Sequence, residues 1–273
     1  MAGVVPNAPF WASDVRNVTG TGNMWDAGVW LLKRQPPFWM SELAGKGEIH
    51  LYYGSNHAFN KDTLINDMGN AVAWNWTGTR IFLHFAANSE ICSYSMNVPT
   101  LEFPEGLAAV EFVRLEIEGG CKIYGRGADA KPFDDWSGWG AQGGTAIANR
   151  IGGKLHINNW GQIFGGGGSG IGEWGDGAAR GGGGGGAPLG HGHGSFGEGR
   201  PSTDATFTEK GLGARSVGDR VTMGDGGNPG EKGGVGRYAP GDRGGDPGFF
   251  YWAGGSGDAY WIRVGDVKGQ IQY

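Results

Sequence analysis

Six consecutive glycines, Gly181 to Gly186, followed by Ala187-Pro188-Leu189-Gly190, constrain the fold of this chain more than any other stretch. A run of four, Gly165 to Gly168, precedes them, and looser clusters follow as far as Gly257. Glycine loses more backbone freedom on ordering than any other residue, so such runs either remain linker or are held by many neighbours at once. The ordered alternative is a polyproline-II-like spiral with three residues per turn and about 3.1 Å per residue, so six residues span roughly 19 Å. It has no internal hydrogen bonds. With no Cβ atoms in the way, packed spirals can satisfy one another's backbone groups, with Cα–H···O contacts as an addition. One bulky residue inside a run would block a neighbour. The 12 Trp, 13 Phe and 8 Tyr favour the ordered alternative, because disordered chains are poor in aromatics.

Of the 59 glycines, 10 lie before Gly119. The composition therefore divides the chain into residues 1–118 and 119–273. The division predicts an ordinary α+β half over 1–118 and a glycine-rich half over 119–273 in which packed spirals are flanked by short β-strands. Charge divides at the same place. Residues 1–118 hold 7 Lys and Arg against 12 Asp and Glu, so the whole net charge of −5 belongs to them. The glycine-rich half is neutral and has no basic stripe for phosphates, which argues against nucleic acid. Two cysteines, Cys92 and Cys121, are too few for a disulfide framework and are expected as buried thiols. The N-terminus shows no signal-peptide pattern, and no stretch of 18 apolar residues could span a membrane.

In the first half, Asn23 to Gln35 reads as a short helix with Trp25, Val29 and Leu32 on one face, ended by Pro36-Pro37. Trp11, Trp25, Trp30, Phe38, Trp39 and Met40 make a large aromatic surface for so short a segment, as expected of a partner-binding face. Alternation predicts a strand over Glu48 to Tyr53, and Asn60 is placed to cap a helix over Lys61 to Met68 that Gly69 ends. Further strands are expected over Ala71 to Trp76, Arg80 to Ala86, Ile91 to Met96, Leu101 to Phe103 and Val110 to Ile117.

The second half contains a repeat. Leu115, Ile117, Ile123 and Gly125 have the same offsets as Leu155, Ile157, Ile163 and Gly165, and Trp261, Gly265, Val267 and Gly269 repeat the later part. A unit too small to bury itself implies stacking. The interior spirals are assigned to Gly165, Gly166, Gly167, Gly168, Gly181, Gly182, Gly183, Gly184, Gly185 and Gly186. The interruptions read as loops: Ala128 to Gln142 with Phe133, Trp136 and Trp139; Ile171 to Arg180 with Trp174; His191 to Met223 with His191, His193, Phe196 and Phe207; and Val235 to Asp242 with Tyr238. Aromatics in polar, glycine-rich loops match the composition of binding loops. Phe249-Phe250-Tyr251-Trp252 leads into the last strand and reads as packing.

No motif for chemistry stands up. Gly192-His193-Gly194-Ser195-Phe196-Gly197 fits G-x-G-x-x-G by letter only, since it neither follows a strand nor opens a helix. His191 and His193 lack a third metal ligand at a recognisable spacing. No nucleophile elbow is present. The expectation is a non-enzymatic protein with no cofactor and no metal.

Pro37-Phe38-Trp39-Met40-Ser41 through Glu48-Ile49-His50, Phe59 to Asn66, Ile123-Tyr124-Gly125-Arg126-Gly127 and the Gly181 to Gly190 run together resemble the long-tail-fibre tip adhesins of T-even-type bacteriophages. The resemblance implies an N-terminal domain that caps a trimeric fibre, one copy per tip, through the Trp25 and Trp39 region. It also implies a polyglycine II bundle whose loops bind a bacterial outer-membrane protein or a glycan. The chain would then belong to the virion, at the tip of the long tail fibre, after synthesis in the host cytoplasm. A structural or ice-binding glycine-spiral protein is the rival reading. It leaves the first half unused and predicts small, regular residues on one flat face. A glycine-rich RNA-binding tail is weaker still, with only two Arg-Gly-Gly triplets, at Arg180 and Arg243.

Overall fold

In the computed structural model, the described residues are 3–5, 11–33, 35–72, 78–130, 139–171, 183–194, 200–215, 222–235, 243–254 and 258–272. Three sheets organise them. In sheet A, β2 (Gly47–Tyr53), β3 (Thr79–Phe85), β6 (Phe112–Ile117), β9 (Leu155–Asn159) and β12 (Tyr260–Arg263) run parallel, with β1 (Gly3–Val4) antiparallel at one edge. Sheet B holds β4 (Glu90–Cys92), β7 (Lys122–Tyr124), β10 (Gln162–Phe164) and β13 (Asp266–Lys268), all parallel. Sheet C holds β5 (Leu101–Phe103), β8 (Ile147–Asn149), β11 (Phe249–Ala253) and β14 (Gln270–Gln272), again parallel.

The chain visits A, B and C in that order and returns to A. From β3 onward, parallel neighbours therefore come from successive coils, without the crossover helices that parallel pairs usually need. The result is a three-faced solenoid in which each coil is one repeat. Leu51, Leu83 and Leu115 stack in register across β2, β3 and β6 at intervals of 32 residues, and Ile91 and Ile123 do the same in sheet B. Alternation within each strand sends these side chains inward: Ile81, Leu83, Phe85, Val113, Leu115, Ile117, Leu155 and Ile157 are all buried. Coils turn on buried asparagines. Asn159 donates to the Val264 carbonyl at 2.7 Å and accepts from the Gly161 N–H at 3.0 Å.

One end of the solenoid is closed by α3 (Lys61–Val72). After β2, Asn56 makes a single parallel bridge to Ile91, and the chain then becomes helical instead of completing the coil. Asn60 caps α3 as expected, its Oδ1 accepting from the N–H groups of Asp62 and Thr63 at 2.8 and 3.0 Å. Leu64 and Met68 enter the solenoid core with Phe59. The helix continues through Gly69, so Ala71 and Val72, expected in a strand, are helical, and 73–77 lie outside the described residues. Packing of the helix on β2 and β5 outweighs the ~1 kcal/mol that an internal glycine costs.

Other boundaries moved for local reasons. The strand expected over Ile91 to Met96 ends at Cys92, because the Ser93 hydroxyl turns the chain by donating to the Ser95 carbonyl at 2.6 Å. The helix expected over Asn23 to Gln35 is α2 (Met24–Leu32), stopped by Lys33 in the left-handed region at φ 54°. A preceding helix, α1 (Ala12–Thr19), was not expected. The compositional division at 118/119 falls in the turn between β6 and β7, and one apolar core runs across it from Ile49 to Ala259. Composition marked a change of residue type inside a coil and not an end of packing.

The glycine runs form two insertions in the solenoid, 125–146 and 165–248, each leaving after a sheet-B strand and returning into a sheet-C strand. They make an array of extended segments bonded to one another. Along 166–171 the partners recur every three residues. Gly166 and Ser169 bond segment 141–144 and segment 245–248; Gly167 and Gly170 bond segment 184–187. Gly168 and Ile171 bond segments 224–227 and 231–234. Gly165 to Gly168 and Gly183 to Gly186 are buried, and a Cβ on Gly168 would stand 1.8 Å from the Gly245 carbonyl oxygen. Gly181 and Gly182 lie outside the described residues. Part of the expected loop His191 to Met223 belongs to this array, since Thr203 accepts from Gly185 at 3.4 Å and Met223 donates to Ala214 at 2.9 Å.

Candidate functional site

Two separate surfaces carry the residues singled out from the sequence. The first is the N-terminal lobe. Val5, Val15, Ala27, Leu31 and Leu43 form its own small core. Helix α2 starts at Asn23, whose Oδ1 accepts from the Asp26 N–H at 2.9 Å. Gly28 leaves a notch in α2 that the Phe38 ring fills; a Cβ there would stand 1.9 Å from the ring. Phe38 and Trp30 are thus partly buried packing residues, Trp30 with Lys33 4.8 Å above its ring and Arg80 5.7 Å away. Trp11 is 79% exposed and Trp39 78%, while Trp25 and Met40 are also on the surface. Of the six residues expected to make the attachment face, four are free to touch a partner and two hold the lobe together.

The second surface is the glycine array. Trp139 is exposed, bridges to Arg243 and carries that guanidinium 5.1 Å from its ring centre. His191 donates its N–H to Asp129 at 2.8 Å, and its Nδ1 lies 3.3 Å from Asp204 Oδ2. The Gly192 N–H, followed by His191, holds the Asp204 carboxyl below the usual carboxylate range. His193 donates its N–H to the Gly183 carbonyl at 3.1 Å, with its side chain exposed. Among the described residues, no three His, Cys, Asp or Glu side chains gather into a metal-binding group. Phe133, Trp136, Trp174, Phe196 and Tyr238 lie outside the described residues.

Phe207 requires a correction. It was expected in a binding loop, and it is 8% exposed. Its ring stacks on His57 at 4.8 Å and on Tyr124 at 5.3 Å, within a cluster that includes Cys92 and Phe164. It pins the array to sheet B of the solenoid. Phe250 and Tyr251, by contrast, pack in the core as their run of aromatics suggested.

A third surface was missed. The outward positions of sheet A fall in register as His50, Phe82, Arg114, His156 and Tyr260, and beside them Tyr52, His84, Glu116 and Asn158. His50 stacks on Phe82 at 4.7 Å, Tyr52 on His84 at 4.6 Å and Phe112 on His156 at 4.8 Å. His50 Nδ1 and His84 Nε2 are 2.9 Å apart, so one ring donates and the other accepts. Burial first, then the neighbouring His50, lowers the His84 pKa from its ordinary value. A groove of about 520 Å³ opens beside His84, Arg114, Glu116, Glu118 and Trp160. The signal lay in the strand alternation itself, whose polar phase is here aromatic.

A family model described as phage tail fibre adhesin Gp38 matches residues 48–272. The receptor-recognizing protein gp38 of Salmonella phage S16 is 37% identical over 153 residues, which are 55% of this chain and 56% of that protein. The chain thus matches a little over half the length of this curated relative. A chain in the crystal structure of the gp37–gp38 adhesin tip complex of the bacteriophage S16 long tail fibre is similar over 98% of this chain and 100% of its own length. The two are 30% identical, with a TM-score of 0.79.

Proposed function

The chain belongs to the phage tail fibre adhesin family, and on that premise we propose that it caps the distal end of a long tail fibre and binds the bacterial surface through the glycine array. The family is one of adhesins, so the chain is a binding protein and not an enzyme. Its relative from phage S16 was solved in complex with gp37, and the corresponding trimeric fibre protein is the partner proposed for the N-terminal lobe, with one copy of the chain per tip. Trp11, Trp25, Trp39 and Met40 supply the contact, while Trp30 and Phe38 set its shape. The receptor is an outer-membrane protein, or a glycan beside it, taken by Trp139, His191 and His193 together with the segments that carry Phe133, Trp136, Trp174, Phe196 and Tyr238. The chain then resides in the virion after synthesis in the host cytoplasm.

The array is a packed lattice of polyglycine II spirals in this reading. The observation that carries it is the three-residue recurrence of backbone partners along 166–171, because a spiral with three residues per turn points every third residue at the same neighbour. Such a lattice fixes the points from which its loops leave and to which they return, which lowers the ordering cost of binding. The organisation proposed is a lobe for attachment, a solenoid for support and an array for display. Exchanging the segments between Gly127 and Gly241 for those of a relative with another host should transfer the host range. An unchanged host range would contradict the reading.

A further inference from the structure

We infer that the outward face of sheet A is a seat for the fibre protein, continuous with the N-terminal tryptophans and on the side of the solenoid away from the glycine array. The inference rests on the reading above, in which a fibre protein is the structural partner.

Topology gives the first argument. Both insertions leave after sheet B and return into sheet C. The array therefore grows from the corner between B and C, the one corner of a three-faced coil that sheet A does not share. With display at that corner, sheet A is the face left for the carrier.

Surface chemistry gives the second. The outward side of a sheet facing water is ordinarily polar. Here Tyr52 is 75% exposed, and Trp160 and Tyr260 are exposed with it across the width of the sheet. Exposed aromatic surface of this extent is characteristic of the centres of protein interfaces.

The third argument is continuity. Arg80, on the outward side of β3, is almost fully buried; it donates to Glu48 at 2.8 Å and to the Leu31 carbonyl at 3.0 Å. It thereby ties α2 onto sheet A, so the lobe and the sheet face form one surface. The groove beside Trp160 suits a projecting side chain. Arg114 pairs with Glu116, the Glu118 carboxylate accepts the Ala87 N–H at 3.1 Å, and the Arg263 guanidinium lies 3.7 Å from the centre of the Trp160 ring. The occupant is accordingly an apolar fibre-tip surface.

The purified chain is mixed with the fibre's distal protein, and the complex is measured by calorimetry. Tyr52→Glu and Trp160→Glu should each weaken binding about tenfold or more without lowering the melting temperature, and Leu212→Glu, at an exposed position on the array, should leave it unchanged. Face variants that bind like the parent, while Trp39→Ala weakens, would overturn this inference and leave the lobe reading standing. If no variant weakens binding, both fall; if Leu212→Glu weakens it equally, the division into two sides falls. A photo-crosslinker placed at Tyr52 gives a second reading that needs no loss of affinity. It should capture the fibre protein; capture of a second copy of this chain, or of nothing, would contradict the assignment.

Discussion

Gly184 shows how much a single residue holds in the array. Its N–H donates to Gly224 at 3.0 Å, and its carbonyl accepts from Gly170 at 2.9 Å. A Cβ would meet the Gly211 carbonyl oxygen at 2.2 Å. Backbone cannot rotate away as a side chain can, so any larger residue must separate three segments. Gly184→Val should destabilise the protein by at least about 3 kcal/mol, several degrees in Tm. Gly106, with nothing within 4 Å of its missing Cβ, is the matching control, and Gly106→Ala should change stability by less than about 0.5 kcal/mol. Equal melting of the two variants would return the run to a linker. The two thiols act through protonation. Burial pushes both the Cys92 and the Cys121 thiol up to about 11 from the ordinary 9.0. A group whose pKa is raised by folding contributes fully below its unfolded pKa, and that contribution is lost as pH rises through the folded one. Urea midpoints should therefore fall between about pH 9 and 11, and fall less steeply in Cys92→Ala.

At the level of elements, what was legible followed the physics of each element. Strands whose alternation separates core from solvent, such as Glu48 to Tyr53 and Leu101 to Phe103, stand where the sequence puts them. The helix at Lys61 was announced by its Asn60 cap. The repeat was legible too, with Ile123, Ile163 and Val267 in one register, although Leu115 pairs with Ile157 and not with Leu155. The turn after β9 is two residues shorter than the turn after β6, which shifts sheet A against sheet B. What the sequence hid was that the repeat begins earlier, with Leu51 and Leu83, because an ordinary composition there masks the 32-residue interval. The composition also suggested a boundary at 118/119 where none exists in the packing. Phe207 misled for a related reason: an aromatic in a polar segment gives no sign of a partner that is distant in sequence. A direct consequence is that residues 1–118 and 119–273, expressed separately, should not fold cooperatively. The cut would part β6 from β9, β4 from β7 and β5 from β8, leaving unpaired strand edges on both halves. Two independently folded halves with sharp melting transitions would refute the continuous solenoid.

For the whole molecule, the solenoid works as a spacer with two uses. Helix α3 and the N-terminal lobe occupy its early coils, and the array extends from one corner of its later ones. The load at a fibre tip would pass through stacked parallel strands and then through glycine segments that bond to several neighbours each. Such an arrangement needs the glycine array to be as firmly held as the sheets, and that is the claim on which attachment through the array depends. Amide hydrogen exchange tests it most directly. Gly166, Gly167, Gly168, Gly184 and Gly186 all donate backbone hydrogen bonds of 3.0 Å or less to other segments. Their amides should be protected to the same order as those of β3 and β6, and should exchange only with global unfolding. Exchange at the rate of an unstructured glycine chain, with β3 and β6 still protected, would contradict the account.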